Sequence, residues 1–277
     1  MRNFEGQVAV VLGASAEGGT GWAIAEALAK AGAKVVVGAR SYEPLKRLAD
    51  KIGGLAVRCD GGSEADITAL AEAAIAAYGR IDIAVNSAAT PTLGLINEAT
   101  PELMMQAVQV NFIGMTYFVR DMAARMTNGG SMILISSMTA THPLQPHFAY
   151  ACAKAATECL VKYAAQEFGP QGIRVNGIRI ATSVSDMAGD FFNTPGVGEQ
   201  FAREVPLGRL GQPEDIADAA LWLAGPAYVS GLTIDVSGGN QMNRFPFLSD
   251  LPGADKSYEG SAALYDREQG LGYKPAG

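Results

Sequence analysis

The sequence predicts a doubly wound parallel α/β sheet in three layers, α/β/α. Short apolar runs alternate with helix-length stretches, the runs lack polar alternation, and a glycine-rich turn joins the first run to the first helix. Strands apolar on both sides are buried on both faces, which a parallel sheet covered by helices requires. The chain has 277 residues, 48% of them hydrophobic, enough for one full core.

Taken in order, the strand-like runs are Val8–Leu12, Lys34–Val37, Leu55–Arg58, Ile81–Val85, Met132–Ile135, Arg174–Ile178 and Thr233–Val236. The helical stretches are Trp22–Ala31, stopped by Gly32, and Glu64–Tyr78, stopped by Gly79. A long single helix is predicted over Pro101–Arg125, and another over Tyr150–Phe168, ending at Gly169-Pro170. Ser183–Gly208 breaks the rhythm and reads as a mobile loop over the site. The organisation is then one domain over residues 1–240, with a substrate loop at about 183–208. Residues 241–277 form an extension without clear periodicity, either disordered or laid across a surface, that of the site or of a neighbouring subunit.

Net charge is −7, with no block of Lys or Arg. That balance disfavours nucleic acid and anionic membrane and favours a small-molecule partner. No apolar run approaches 18 residues, and no secretory leader pattern opens the chain, so a cytoplasmic location is expected. The three cysteines fit a reducing compartment; Cys152 and Cys159, seven apart on one helix, read as small buried hydrophobes. His142 and His147 lack carboxylates or cysteines at ligand spacing, so no metal is expected.

Gly13, Gly19 and Gly21 let the backbone turn tightly and approach a pyrophosphate at a helix N-terminus. The second strand ends in Ala39-Arg40-Ser41, with no acid where a 2′-hydroxyl of the adenosine ribose would be bound. Arg40 can pair with a 2′-phosphate, and Ser15 can donate to it, which favours NADP(H) with NAD(H) as the alternative. Glu17, in the same loop, argues against it. Farther along, Tyr150 and Lys154 stand four apart near a helix start and share a face. A nearby cation lowers a tyrosine pKa, and roughly 4 kcal/mol would bring it about three units towards neutrality.

The ordered set of motifs resembles the short-chain dehydrogenase/reductase superfamily, in its main short-form branch, over residues about 5–240. GASAEGGTG resembles the family's glycine loop, Asp60 follows the third strand, and VNSAA stands for the family's NNAG. Asn111 lies in QVNFIG, and Ser137 precedes Tyr150 by thirteen residues. GIRVNGI, PLGRLGQPEDIA and a terminal SGG follow. The resemblance implies a Rossmann fold and a catalytic set of Asn111, Ser137, Tyr150 and Lys154. Tyr150 is then the general acid/base, with Lys154 lowering its pKa and binding the nicotinamide ribose. Ser137 holds the substrate oxygen, and Asn111 organises a water linking Lys154 to solvent. It also places Asp60, Gly61, Asn86, Ala88, Ser183 and Ser185 at the cofactor, beside Tyr150 and Lys154. A homotetramer, or a dimer, is the assembly it implies.

Departures from the family pattern fall near the cofactor: a glycine loop two residues longer, Leu12 for Thr, Ala89 for Gly, and Ile180-Ala181 for Pro-Gly. The long loop raises the enoyl-reductase branch as a rival, but that branch carries Tyr-x6-Lys, and His147 stands seven before Lys154. A nucleotide-binding sensor without catalysis is the other rival. Met138, Leu144, Phe148, Met187, Phe191 and Phe192 are the expected substrate walls, implying a neutral, fairly apolar ketone or alcohol.

Overall fold

The computed structural model describes residues 3–184, 194–247 and 251. The seven runs form one wholly parallel sheet: β1 (Val8–Leu12), β2 (Lys34–Ala39), β3 (Leu55–Arg58), β4 (Ile83–Asn86), β5 (Gly130–Ser137), β6 (Ile173–Ile180) and β7 (Thr233–Val236). Their order is β3-β2-β1-β4-β5-β6-β7. The chain reverses direction across the sheet between β1 and β4, and the crevice at their carboxyl ends is where such sheets bind ligands.

Strand periodicity distributes the core. Ala9, Val11, Val35, Val37, Ile83 and Ile133 face one layer, formed by α1 (Thr20–Lys30), α2 (Tyr42–Ile52) and α8 (Pro213–Ala224). Val10, Leu12, Val36, Ala84, Met132 and Leu134 face the other, with α3 (Glu64–Tyr78), α5 (Gly114–Ala123) and α6 (Phe148–Phe168). Alternate residues thus enter separate cores, which is why the runs show no polar alternation. Helix α2 buries Leu45, Leu48 and Ala49 and ends at Gly53 in the left-handed region.

Three expectations need correction. The helix from Pro101 is not continuous: α4 (Pro101–Val108) and α5 are separated by a π turn over Gln109–Ile113. The segment read as irregular contains α7 (Val197–Arg203) among its described residues. Cys152 and Cys159 are exposed, because Lys154, Thr157, Val161 and Ala164 occupy the buried face of α6. No helix among the described residues is long and apolar enough to cross a membrane.

Candidate active site

A cleft of about 490 Å³ opens at the carboxyl ends of β1, β4, β5 and β6. Its floor begins at the glycine loop. At Gly13 an added Cβ would lie 2.4 Å from the Ala88 nitrogen, and at Gly21 one would lie 2.3 Å from the Gly13 oxygen, so both positions require glycine. Gly19 caps α1 without a side-chain hydrogen bond, which leaves the helix N–H groups and dipole turned to an anion. Asn86 accepts from the Ala88 N–H at 3.0 Å, while its buried Nδ2 has no protein partner. A close-approach glycine turn, an uncapped helix end and a spare amide donor fit a dinucleotide.

Arg40 and Ser41 are exposed beyond β2 and Ser15 is half-buried in the glycine loop, none of them among the residues that line the cleft. Glu17 is drawn towards Arg47 of α2, 3.7 Å away, so the acid that opposes a 2′-phosphate carries its own countercharge. Arg47 escaped the sequence reading because α2 itself did. Asp60 is fixed by its bond from the Gly62 N–H, 2.9 Å, and Gly61 packs against Ala88.

The catalytic candidates come from three elements. Ser137 ends β5, and its Oγ accepts from the Thr139 hydroxyl at 2.9 Å and the Thr139 N–H at 3.3 Å. With both lone pairs engaged, its own proton is free to be donated. The Ser137 hydroxyl stands close enough to the Tyr150 hydroxyl to favour the tyrosinate. Thr139 was not singled out in the sequence, where no motif or periodicity marks it. Lys154 lies one turn beyond Tyr150 on α6, 1% exposed, with its Nζ donating to the Ile135 carbonyl at 2.9 Å. The Nζ stands 5.6 Å from the Tyr150 ring centroid. Burial pushes Tyr150 up to about 12, against the lowering effect of the nearby Ser137 hydroxyl, and Lys154 down to about 7. Each charged form would therefore stabilise the other.

Asn111 sits in the π turn, fully buried. Its Nδ2 donates to the Thr90 and Ala107 carbonyls, and its Oδ1 accepts from the Thr90 N–H. The side chain is thus occupied by backbone, and the Asn111 carbonyl accepts from the Thr157 hydroxyl of α6. Thr157 is a second residue the sequence reading missed.

Of the expected substrate walls, Leu144 lines the cleft. Met138 does not: it is fully buried behind the wall, packed with Val197, Phe201 and Phe245. Phe148, the first residue of α6, is also not among the lining residues. Phe201 and Phe245 line the cleft instead, although neither stood out in the sequence. Ser183 lines the cleft and bridges to Gly211. Ser185, Met187, Phe191 and Phe192 lie outside the described residues.

Comparison with known proteins agrees with this fold. A family model described as Enoyl-(Acyl carrier protein) reductase matches residues 13–241. A short-chain type dehydrogenase/reductase of Mycobacterium ulcerans superposes with a TM-score of 0.84 at 28% identity, covering 90% of this chain and 94% of that one. The chain belongs to the short-chain dehydrogenase/reductase superfamily. The family binds NAD(P), and the relatives that this chain matches are named dehydrogenases and reductases. The 7alpha-hydroxysteroid dehydrogenase of Escherichia coli K12 is 37% identical over 85% of this short-chain dehydrogenase/reductase and 94% of its own length. D-threitol dehydrogenase of Mycolicibacterium smegmatis is 32% identical, covering 85% and 93% respectively.

Proposed function

We propose that this enzyme interconverts a ketone and a secondary alcohol on a neutral, fairly apolar substrate, using NADP(H) and Tyr150 as the proton carrier. The observation that carries the reading is the convergence of the Tyr150 and Ser137 hydroxyls on one cleft, with Lys154 buried one turn behind. When bound, the nicotinamide supplies or accepts the hydride. Gly13, Gly19 and Gly21 would admit the pyrophosphate, and Asn86, Ala88, Asp60, Gly61, Ser183 and Lys154 would line its course. Ser137, its acceptor capacity filled by Thr139, donates to the substrate oxygen. Tyr150 gives that oxygen a proton in reduction and takes one in oxidation. Lys154 stabilises the tyrosinate, and the polar contacts of Asn111 hold the turn against which α6 packs.

The NADP(H) preference rests on Arg40 and on the absence of an acid at the end of β2, with Glu17 offset by Arg47. Reduction of a C=C bond is the second reading, favoured by the description of the matching family model. The residue at the spacing that branch requires is His147, not Tyr, so the carbonyl reading is preferred. A panel of ketones, alcohols and enones, each scored with NADPH and NADH or their oxidised forms, tests the proposal. Ketone reduction with at least about tenfold preference for NADPH is expected, falling to near parity in Arg40→Ala. Turnover of enones alone, or equal use of both cofactors by the wild type, would contradict the respective part. Cofactor binding without any turnover would indicate the sensor reading.

A further inference from the structure

His147 stands at the N-terminus of α6, three residues before Tyr150, and lines the same cleft. Its ring meets the Tyr150 ring edge-on, with centroids 6.4 Å apart. The proton-transfer chemistry does not use it. A second loop holds it in place: Gly94, after β4, bridges to His147 and donates to the Pro146 carbonyl at 2.8 Å. The His147 N–H is committed to the Leu144 carbonyl at 3.0 Å. Nδ1 is sealed from solvent without a well-directed partner, while the carbonyls of Leu144 and Gln145 stand beside the ring and favour a ring N–H.

A neutral imidazole has one N–H and one acceptor nitrogen. With the proton on the buried Nδ1, the acceptor is Nε2, the remaining ring nitrogen of a residue that lines the cleft. We infer that His147 is a substrate-specificity residue, whose Nε2 accepts a hydrogen bond from a hydroxyl group borne close to the reacting carbonyl. The preferred substrate class is accordingly a hydroxyketone, or the corresponding diol, with an apolar remainder against Leu93, Leu144, Phe201 and Phe245. Burial lowers the imidazole pKa and keeps the ring in the neutral, accepting form near neutral pH. A substrate that displaces water from this nitrogen and brings no donor to it is also penalised.

This inference rests on the ketone-reductase reading and sharpens it. The test compares 2-hydroxyacetophenone with 2-methoxyacetophenone, which carry similar electron-withdrawing substituents but differ in the O–H donor. The wild type should show kcat/KM for the hydroxyketone higher by about tenfold or more. In His147→Phe, which keeps a ring without the acceptor, the ratio should fall to within about threefold of unity. NADPH affinity, read by fluorescence titration, should be unchanged, which a general disturbance of the cleft would not give. His147→Leu serves in its place if the Phe variant does not fold, as judged by circular dichroism. A wild-type ratio near unity, or a preference that survives in the folded variant, overturns the inference while leaving ketone reduction standing. Reduction of neither ketone, nor of any ketone in the wider panel, with NADPH binding intact, overturns the parent reading and this one with it.

Discussion

At the scale of single residues, the candidate site works by limiting what each polar group can do. Thr139 fills the acceptor sites of Ser137, so the serine can only donate. Lys154 has the Ile135 carbonyl at hydrogen-bond distance, and its pKa falls to about 7 through burial. This has a measurable consequence for stability. Below about pH 7, Lys154 is charged in both folded and unfolded chains, and the full cost of burying the charge is present. Between about 7 and 10.5 the unfolded chain binds more protons, so stability rises with pH in that window. Lys154→Met should therefore raise the melting temperature of the cofactor-free protein more at about pH 6 than at about pH 9.5. An equal effect at both pH values would contradict a depressed Lys154 pKa. Tyr150 and Lys154 were legible from spacing and company. Thr139 and Thr157 were not, because a hydroxyl that bonds a backbone carbonyl or a neighbouring serine leaves no periodic trace in sequence.

At the scale of elements, the strands were legible nearly to the residue, since burial on both faces forces continuous apolar runs. The boundaries of β1, β3 and β7 coincide with their runs. Helix α2 was missed because Pro44 and a mostly polar face obscure its three buried positions. The π turn was missed for a different reason. Nothing in QVNFI lowers helix propensity enough to signal an interruption; the turn is held by tertiary bonds between Asn111 and Thr90, 21 residues earlier in the chain. Replacing Asn111 by Ala leaves the Thr90 N–H and carbonyl and the Ala107 carbonyl short of a partner. The expected loss is about 3 kcal/mol in urea denaturation. A loss below about 0.5 kcal/mol would show that the turn does not depend on this side chain.

At the scale of the whole molecule, the segment that follows β7 contributes Phe245 to the wall of the cleft. Phe245 and Leu251 are buried in a small third core with Met138, Val197 and Phe201. Asn240 and Asn243 donate to the Glu204 carbonyl, and Arg244 pairs with the Glu204 carboxylate at 3.3 Å, tying this segment to the end of α7. The sequence showed only an aperiodic tail, because its packing depends on a few anchors rather than on a repeating face. We propose that residues 1–240 form the catalytic domain and that the extension shapes substrate binding. Removing residues 242–277 should raise KM for a ketone by about tenfold while changing NADPH affinity less than threefold or so. Equal losses of both would count against that division. The exposed outer face of α6, with Cys152, Cys159 and Tyr163, is the proposed contact for a homotetramer or dimer. Sedimentation equilibrium of the full chain should find one of these species, and a monomer would rule the contact out.

The central claim, proton transfer by Tyr150 at a carbonyl oxygen, is tested most directly by Tyr150→Phe. The change removes one hydroxyl and keeps the ring, and NADPH affinity should stay within about threefold of the wild type. Ketone-dependent NADPH oxidation should fall by about 10²–10⁴-fold. A variant that binds NADPH normally and reduces ketones within about fivefold of the wild-type rate would contradict the account.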